Sequence, residues 1–137
     1  MERTFAIIKP RAFEENLTGA ILNIITSAGF RISGIKSLKL NISQAENLYG
    51  IHNQKAFYSK LIDFITSGPV IVMVLEKENA IEDFRKLIGN TNPEKAEAGT
   101  VRRLFGLDKT KNAIHAADSP ENAQKEIDLF FSQEELV

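Results

Sequence analysis

The chain has 137 residues, and its 17 basic and 18 acidic side chains leave a formal net charge of −1. This balance excludes a global field that attracts nucleic acid or an anionic membrane, so an anion site requires a local cluster of cations. Because there are no cysteines, disulfides and thiolate metal sites are excluded as well. The apolar runs are too short to span a bilayer, and the N-terminal segment lacks the pattern of a signal peptide. We therefore expect one soluble, cytoplasmic domain over residues 1–137 that binds neither a membrane nor a specific nucleic acid.

The first part of the chain is predicted to form a strand, a helix and a second strand. Residues 3–9 carry apolar side chains on both faces, which is typical of a central strand, and Pro10 ends that strand just after Lys9. The helical spacing of apolar residues predicts a helix over 17–28. A second strand is predicted over 31–40. Its inward side is expected to carry Ile32, Leu38 and Leu40.

Further elements follow in the second part of the chain. A short helix capped by Ser43 and another over 57–66 lead to the six apolar residues 70–75, which indicate a strand buried on both faces. A helix is predicted over 80–88. Residues 89–112 show no periodicity, and a connection of this length is usually functional or part of an interface. A short strand over 113–117 precedes a helix whose start is marked by Ser119 and Pro120.

This order predicts an α+β fold with the ferredoxin-like βαββαβ arrangement. Such a fold has an antiparallel sheet with helices on one face, to which this chain adds further helices and a long loop insertion. The fold alone does not indicate a function.

Three cations could together form a polyphosphate site. Lys9 ends the first strand, Arg85 lies in the helix before the long loop, and Arg102 lies within the loop. Arginine can hold a phosphate in bidentate fashion, while lysine acts as a point charge. Taken singly, a lysine or arginine is usually a solvated surface charge, and that is the alternative for each of the three. No glycine-rich phosphate-binding motif is present, so a nucleotide site would depend on side chains.

His115 is the candidate nucleophile. A neutral imidazole is nucleophilic, and a neighbouring carboxylate can fix its tautomer and leave the other nitrogen available. Glu126 lies about two turns into the following helix and could fold back towards it. A hydrogen-bonded histidine in the core is the alternative, and His52 is given that ordinary role. No spacing of His, Asp or Glu predicts a protein-bound metal, so Mg²⁺ would enter bound to substrate phosphates.

Phe57 and Leu61 lie one helical turn apart on the same face. They could pack in the core, or they could clamp the flat face of a nucleobase. Stacking of that kind would tolerate any base.

Taken in order, seven segments resemble the nucleoside diphosphate kinase family over nearly the whole chain. They are TFAIIKP, GFRISGIKSLKL, FY (57–58), TSGPVIVMVLE, RKLIGNTNP, AGTVRRLFG and NAIHAADS. The last segment is similar to the family's active-site signature. The resemblance implies transfer of the γ-phosphoryl group of a nucleoside triphosphate, typically ATP, to a nucleoside diphosphate of any base. The transfer would be ping-pong, through a phosphohistidine, in a homo-oligomer of four or six chains.

The resemblance also implies a role for each candidate residue. His115 matches the nucleophile, Glu126 the carboxylate that orients its ring, and Tyr49 a tyrosine beside it. The base clamp matches Phe57 and Leu61. The remaining matches grip the phosphates or contact the sugar: Lys9, Arg85, Thr91, Arg102 and Asn112.

Several positions depart from the family's pattern. The chain has Arg11-Ala12 where the family usually has Asp-Gly, and Glu15 where an arginine is common. Other departures are Lys55-Ala56 for Arg-Pro, Arg103-Leu104 for Gly-Asp, and Ala117 for a serine two residues after the histidine. Losing that hydroxyl removes one hydrogen bond, so we expect an active enzyme whose rate is several-fold lower.

Two alternatives belong to other functional classes. The first is a member of the family that binds nucleotides without turnover; the departures from the family's pattern favour it, whereas the presence of all the charged and nucleophilic residues argues against it. The second is a ferredoxin-like domain that binds RNA or senses a small molecule. RNA recognition would require aromatic residues on the sheet face, and the strands offer little beyond Phe5.

Overall fold

The structure is a computed structural model that describes residues 1–50 and 57–137. The strands are β1 (Glu2–Ile8), β2 (Arg31–Leu38), β3 (Val70–Lys77) and β4 (Ile114–Ala116). The helices are α1 (Pro10–Glu14), α2 (Thr18–Ser27), α3 (Ile42–Tyr49), α4 (Tyr58–Ile65), α5 (Ala80–Ile88), α6 (Val101–Phe105) and α7 (Pro120–Phe130). Within the described residues, 3₁₀ turns lie at Pro93–Lys95 and Gln133–Glu135.

The four strands form one antiparallel sheet in the order β2-β3-β1-β4. With α2 and α5 as its crossover helices, this is the predicted βαββαβ arrangement. Those two helices cover one face, where they pack on Ala6, Ile8 and Met73. The additional helices α3, α4 and α7 cover the other face, where they pack on alternate residues such as Phe5 and Ile7. Apolar patterning on both sides of β1 and β3 reflects a sheet buried between two layers of helices.

The structure corrects the inward side that the sequence pattern predicted for β2. The pairing with β3 shifts register between Ile32 and Gly34, and the extra residue of such a bulge reverses the alternation of side chains. Ile32 therefore packs on the α2 and α5 face, whereas Leu38 and Leu40 pack on the opposite face.

Two helix starts also differ from the prediction. Asn41, and not Ser43, caps α3: its Oδ1 accepts from the Gln44 amide at 2.8 Å, and the Gln44 side chain accepts from the Asn41 amide at 3.0 Å. Such a capping box satisfies two free amides at once. The helix α1 was not predicted, and it begins at Pro10, a residue that is favourable in the first turn because it lacks an amide hydrogen.

The insertion over residues 89–112 contains α6, whose five residues are too few to produce a periodic pattern. Thr100 caps it, its Oγ1 accepting from the Arg103 amide at 3.3 Å. The predicted start of α7 is confirmed, since the Ser119 Oγ accepts from the Asn122 amide at 3.1 Å and Pro120 occupies the first turn. Among the described residues, no helix combines the length and the apolar character needed to cross a membrane.

Candidate active site

Lys9 lies between the end of β1 and the start of α1, and it is buried, with 5% of its surface exposed. Its Nζ donates to the Asn112 Oδ1 at 2.8 Å and to the Thr110 carbonyl at 3.3 Å. Burial, together with the nearby Arg102 cation, lowers the pKa of the Lys9 ammonium to about 7. An anion bound beside it would reverse that effect, so the environment of Lys9 is suited to a phosphate.

Asn112 is the link between Lys9 and the long loop. While its Oδ1 accepts from Lys9, its Nδ2 donates to the Thr91 carbonyl at 3.0 Å. The side chain is 2% exposed, so both polar atoms need such partners. The structure thus brings three of the predicted site residues, which are far apart in the sequence, into one hydrogen-bonded chain.

Arg102 projects from α6 and is 8% exposed. One Nη donates to the Gly89 carbonyl at 3.0 Å and the other to the Ile114 carbonyl at 2.9 Å. Burial, with the Arg85 cation close by, lowers the pKa of this guanidinium to about 10, which leaves it charged at neutral pH. Its Nε is buried and has no hydrogen-bond partner among the described residues.

Arg85 lies in the last turn of α5 and is exposed. It lines two cavities, one of about 950 Å³ that it shares with His115 and one of about 670 Å³ that it shares with Arg102. It therefore connects the predicted nucleophile with the predicted phosphate-binding residues. Thr91 is also exposed and lies in the long loop.

His115 lies in the middle of β4, and its Nε2 is 2.7 Å from the Glu126 Oε1 of α7. The two side chains are 17% and 13% exposed. Since an ionised carboxylate only accepts hydrogen bonds, a neutral imidazole in this contact carries its proton on Nε2, and Nδ1 is then the nitrogen with the free lone pair. The ring also lies edge-on to Phe5 and to Tyr49, with centroid distances of 6.3 Å and 6.4 Å.

Tyr49 closes one side of the cavity that contains His115. Burial, and then the Glu126 carboxylate, raise the pKa of its phenol above the usual value. Tyr49 is therefore a neutral hydroxyl group beside the histidine.

Phe57 and Leu61 lie at the start of α4, and the Leu61 amide donates to the Phe57 carbonyl at 3.0 Å. Phe57 is 47% exposed, while the buried face of α4 consists of Ile62 and Ile65. Packing in the core therefore does not account for Phe57. His52, which was given an ordinary role, and the departures Lys55 and Ala56 lie outside the described residues.

One acidic residue of this site was missed by sequence reasoning. Asp118 lines the cavity with His115, and a hydrogen bond from Asn122 at 2.6 Å lowers the pKa of its carboxyl group. Its position in the segment NAIHAADS was the available signal. The described residues contain no group of three acidic or histidine side chains that could hold a metal ion.

The family model described as "Nucleoside diphosphate kinase" matches residues 2–136. The chain belongs to the nucleoside diphosphate kinase family. It is 53% identical over 137 residues to the nucleoside diphosphate kinase of Geobacter sp. (strain M21) and 52% identical to that of Geobacter sulfurreducens, with all of both chains covered in each case.

Solved structures of the same family have the same fold. The Aquifex aeolicus nucleoside diphosphate kinase superposes with a TM-score of 0.96 at 43% identity, covering 99% of both chains. A halophilic nucleoside diphosphate kinase from Halobacterium salinarum in complex with CDP has a TM-score of 0.95 at 37% identity, covering 99% of this chain and 91% of that one.

Proposed function

We propose that this chain transfers the γ-phosphoryl group of a nucleoside triphosphate, typically ATP, to a nucleoside diphosphate, with His115 as the phosphoryl carrier. The observation that carries the proposal is the 2.7 Å contact between His115 Nε2 and Glu126 Oε1. The ring presents Nδ1 as nucleophile in a cavity that also contains a cation, Arg85. Membership of the kinase family supports the reaction type.

In the first half-reaction, Nδ1 of His115 bonds to the γ-phosphorus as the bond from that phosphorus to the β-phosphate oxygen breaks. The nucleoside diphosphate leaves with the bonding electrons. The Nε2 proton stays on the ring, where Glu126 stabilises the positive charge of the phosphorylated imidazole. The second half-reaction reverses these steps on a new nucleoside diphosphate. Because one cavity serves both substrates in turn, the kinetics are ping-pong.

Lys9, Arg85 and Arg102 neutralise the phosphate charge while the phosphoryl group is transferred. Catalysis of this kind is mostly positioning and electrostatic stabilisation. The burial of Lys9 and Arg102 strengthens their attraction for an anion because water does not screen it. Asn112 and Thr91, joined to Lys9 by hydrogen bonds, are assigned to the sugar and the phosphates.

Phe57 and Leu61 are assigned to the base. The exposed position of Phe57 at the start of α4 supports a stacking role. An aromatic ring and an aliphatic side chain offer no hydrogen bonds that would read the edge of the base, so we expect broad base specificity.

A divalent cation accompanies catalysis in this family. We assign it as Mg²⁺ that enters on the nucleotide phosphates, because Mg²⁺ keeps several of its waters and is usually bound through substrate phosphates rather than by a cage of protein ligands. Bound through those phosphates, the ion would neutralise part of their charge. We also propose that residues 1–137 act as one domain of a cytoplasmic homo-oligomer, a hexamer or a tetramer.

The proposal is tested by the intact mass of the protein after brief incubation with ATP and Mg²⁺ in the absence of an acceptor. We expect one added phosphoryl group on the wild type, none on His115→Asn, and its discharge by GDP or by UDP. A wild type that binds ATP but gains no mass would instead be a binding module without turnover.

A further inference from the structure

Arg11 lies in the first turn of α1, two residues after Lys9, and its side chain reaches across to the long loop. Its Nη1 donates to the Phe105 carbonyl at 2.9 Å, and its Nε is 2.8 Å from the Glu15 Oε2. We propose that Arg11 is a positioning residue, which fixes the segment 105–112 as one wall of the nucleotide pocket. The proposal rests on the pocket assigned above but not on turnover.

The end of α6 depends on a donor from outside the helix. This helix has only five residues, and a helix so short is unstable on its own. The last carbonyls of any helix lack intrahelical partners, and a cation at that end also interacts favourably with the helix dipole. At Phe105, Arg11 supplies both a hydrogen-bond donor for the carbonyl and a positive charge at the end of the helix. Phe105 lies about one turn after Arg102, whose side chain binds the carbonyls of Gly89 and Ile114.

The segment 105–112 is held at both ends by the two cations that flank Pro10. Arg11 binds the Phe105 carbonyl at its start, and Lys9 binds Thr110 and Asn112 at its end. Between these points the segment is closed by its own hydrogen bonds. The Leu107 amide donates to the Lys111 carbonyl at 2.8 Å, and Asp108 accepts from the amides of residues 110 and 111. We therefore expect the segment to shift as a unit when one end is released.

The same segment faces α4, the helix that begins next to Phe57 and carries Leu61. The Lys111 Nζ lies 5.8 Å from the centre of the Phe64 ring, and Lys60 is close enough to Asp108 to contribute to the lowered pKa of that carboxyl group. The position of the segment thus sets the space in which the base would stack. The Arg11 side chain binds the Phe105 carbonyl and Glu15 and none of the predicted phosphate-binding side chains, so its loss should weaken nucleotide binding without changing the chemical step.

The test compares Arg11→Ala, Arg11→Lys and the control Glu15→Ala. Calorimetry gives Kd for ADP with Mg²⁺, and steady-state assays give kcat and KM. For Arg11→Ala we expect Kd and KM to rise about 3- to 10-fold, as the loss of one hydrogen bond predicts, with kcat within about two-fold. Arg11→Lys keeps a donor for the Phe105 carbonyl and should recover most of the affinity. Glu15→Ala removes only the ion pair and should bind ADP like the wild type.

Three results would overturn the inference. One is an unchanged Kd in Arg11→Ala, and another is an equal loss of affinity in Glu15→Ala. The third is a fall in kcat at constant KM, which would place Arg11 in the chemical step.

Because Kd is measured without turnover, the test of Arg11 does not depend on the proposed reaction. A wild type that forms no phosphohistidine would refute the proposed function, and the Kd values would still decide the role of Arg11. If Arg11→Ala does not fold, Arg11→Met takes its place, because it keeps the apolar stem and lacks the donor. Weaker ADP binding by Arg11→Met than by Glu15→Ala then supports the role, and equal binding overturns it.

Discussion

His115 Nε2 and Glu126 Oε1 are 2.7 Å apart although they belong to different elements, β4 and α7. The connection between the two elements is short, because Ser119 and Pro120 start the helix immediately after the strand. The helix then runs back along the sheet, with Phe130 stacked on Phe5 at 5.3 Å. The packing of α7 on β1 therefore holds the carboxylate against the ring.

Replacing Glu126 tests the value of this contact. In Glu126→Gln the neutral amide no longer stabilises the charged ring, and a charge-assisted hydrogen bond is worth about 1.5–3 kcal/mol. We expect the rate of His115 phosphorylation by ATP in rapid-quench experiments to fall roughly 10- to 100-fold. The Kd for ADP should stay within about two-fold. An unchanged phosphorylation rate would show that Glu126 does not act on the ring.

Ala117 is the departure closest to this pair. It is 1% exposed and packs in the same layer as α7, so a serine hydroxyl there would be buried beside the site. We expect Ala117→Ser to raise kcat several-fold, since one added hydrogen bond is worth on the order of 1 kcal/mol. The control is Ala6→Ser, because Ala6 is equally buried, packs on the opposite face of the sheet and does not line the cavity that contains His115. Equal rates for wild type and Ala117→Ser would mean that the hydroxyl has no role in this chain.

The lowered pKa of Lys9 predicts a pH-dependent affinity. In the free protein the ammonium loses its proton as the pH rises through about 7, whereas a bound phosphate requires the charged form. Binding of ADP at pH 8 should therefore take up a proton, and affinity should fall as the pH rises from 7.5 to 9, where the phosphates no longer titrate. Calorimetry in buffers of different ionisation enthalpy measures the uptake. Lys9→Met should bind more weakly and lose most of it, and an uptake that persists in this variant would contradict the assignment.

The lowered pKa of Lys9 also determines how the free energy of unfolding changes with pH in the absence of nucleotide. The folded state holds Lys9 with a pKa of about 7, below its ordinary value of 10.5, so the unfolded chain binds more protons between these values. The contribution of Lys9 to the free energy of unfolding therefore increases as the pH rises from about 7 to about 10. In denaturant titrations, the free energy of unfolding of the wild type should therefore increase relative to that of Lys9→Met across this range. A constant difference would contradict the lowered pKa.

Ala113, directly before β4, has a backbone φ of 80°, in the left-handed region that a residue with a Cβ rarely adopts. Strain of this kind costs about 1–2 kcal/mol, and glycine avoids it. We expect Ala113→Gly to change the free energy of unfolding by less than about 1 kcal/mol. Ala12→Gly, at an equally buried alanine in a helix, should destabilise by about 1 kcal/mol or more. Equal losses in chemical denaturation would argue against strain at Ala113.

The parts of the fold that local patterns determine could be predicted from the sequence. Apolar runs located β1 and β3, and the Ser119-Pro120 pair located the start of α7, because these signals lie within a few residues of the structure they cause. The bulge in β2 left no such signal, since it arises from pairing with β3. The contact of Arg11 with Phe105 joins residues 94 positions apart, and no local pattern in the sequence indicates it.

In the candidate site, too, the identity of residues could be predicted from the sequence, whereas their arrangement could not. His115 and the cations were predicted from residue type and from resemblance to the family, and their roles stay predictions. Their arrangement depends on Asn112, which joins Lys9 to the Thr91 carbonyl, and on the burial of Arg102. These are properties of packing between α6, β4 and α1, so they could be described only from the structure.

The most direct test of the account is to identify which nitrogen of His115 carries the phosphoryl group. A ³¹P–¹⁵N correlation spectrum of the ¹⁵N-histidine-labelled protein, recorded after phosphorylation by ATP and Mg²⁺, distinguishes the two ring nitrogens. Because Glu126 occupies Nε2, the account predicts phosphorus coupled to Nδ1 of His115, and no coupling in His115→Asn. Phosphorus on Nε2, or on a residue other than His115, would contradict it.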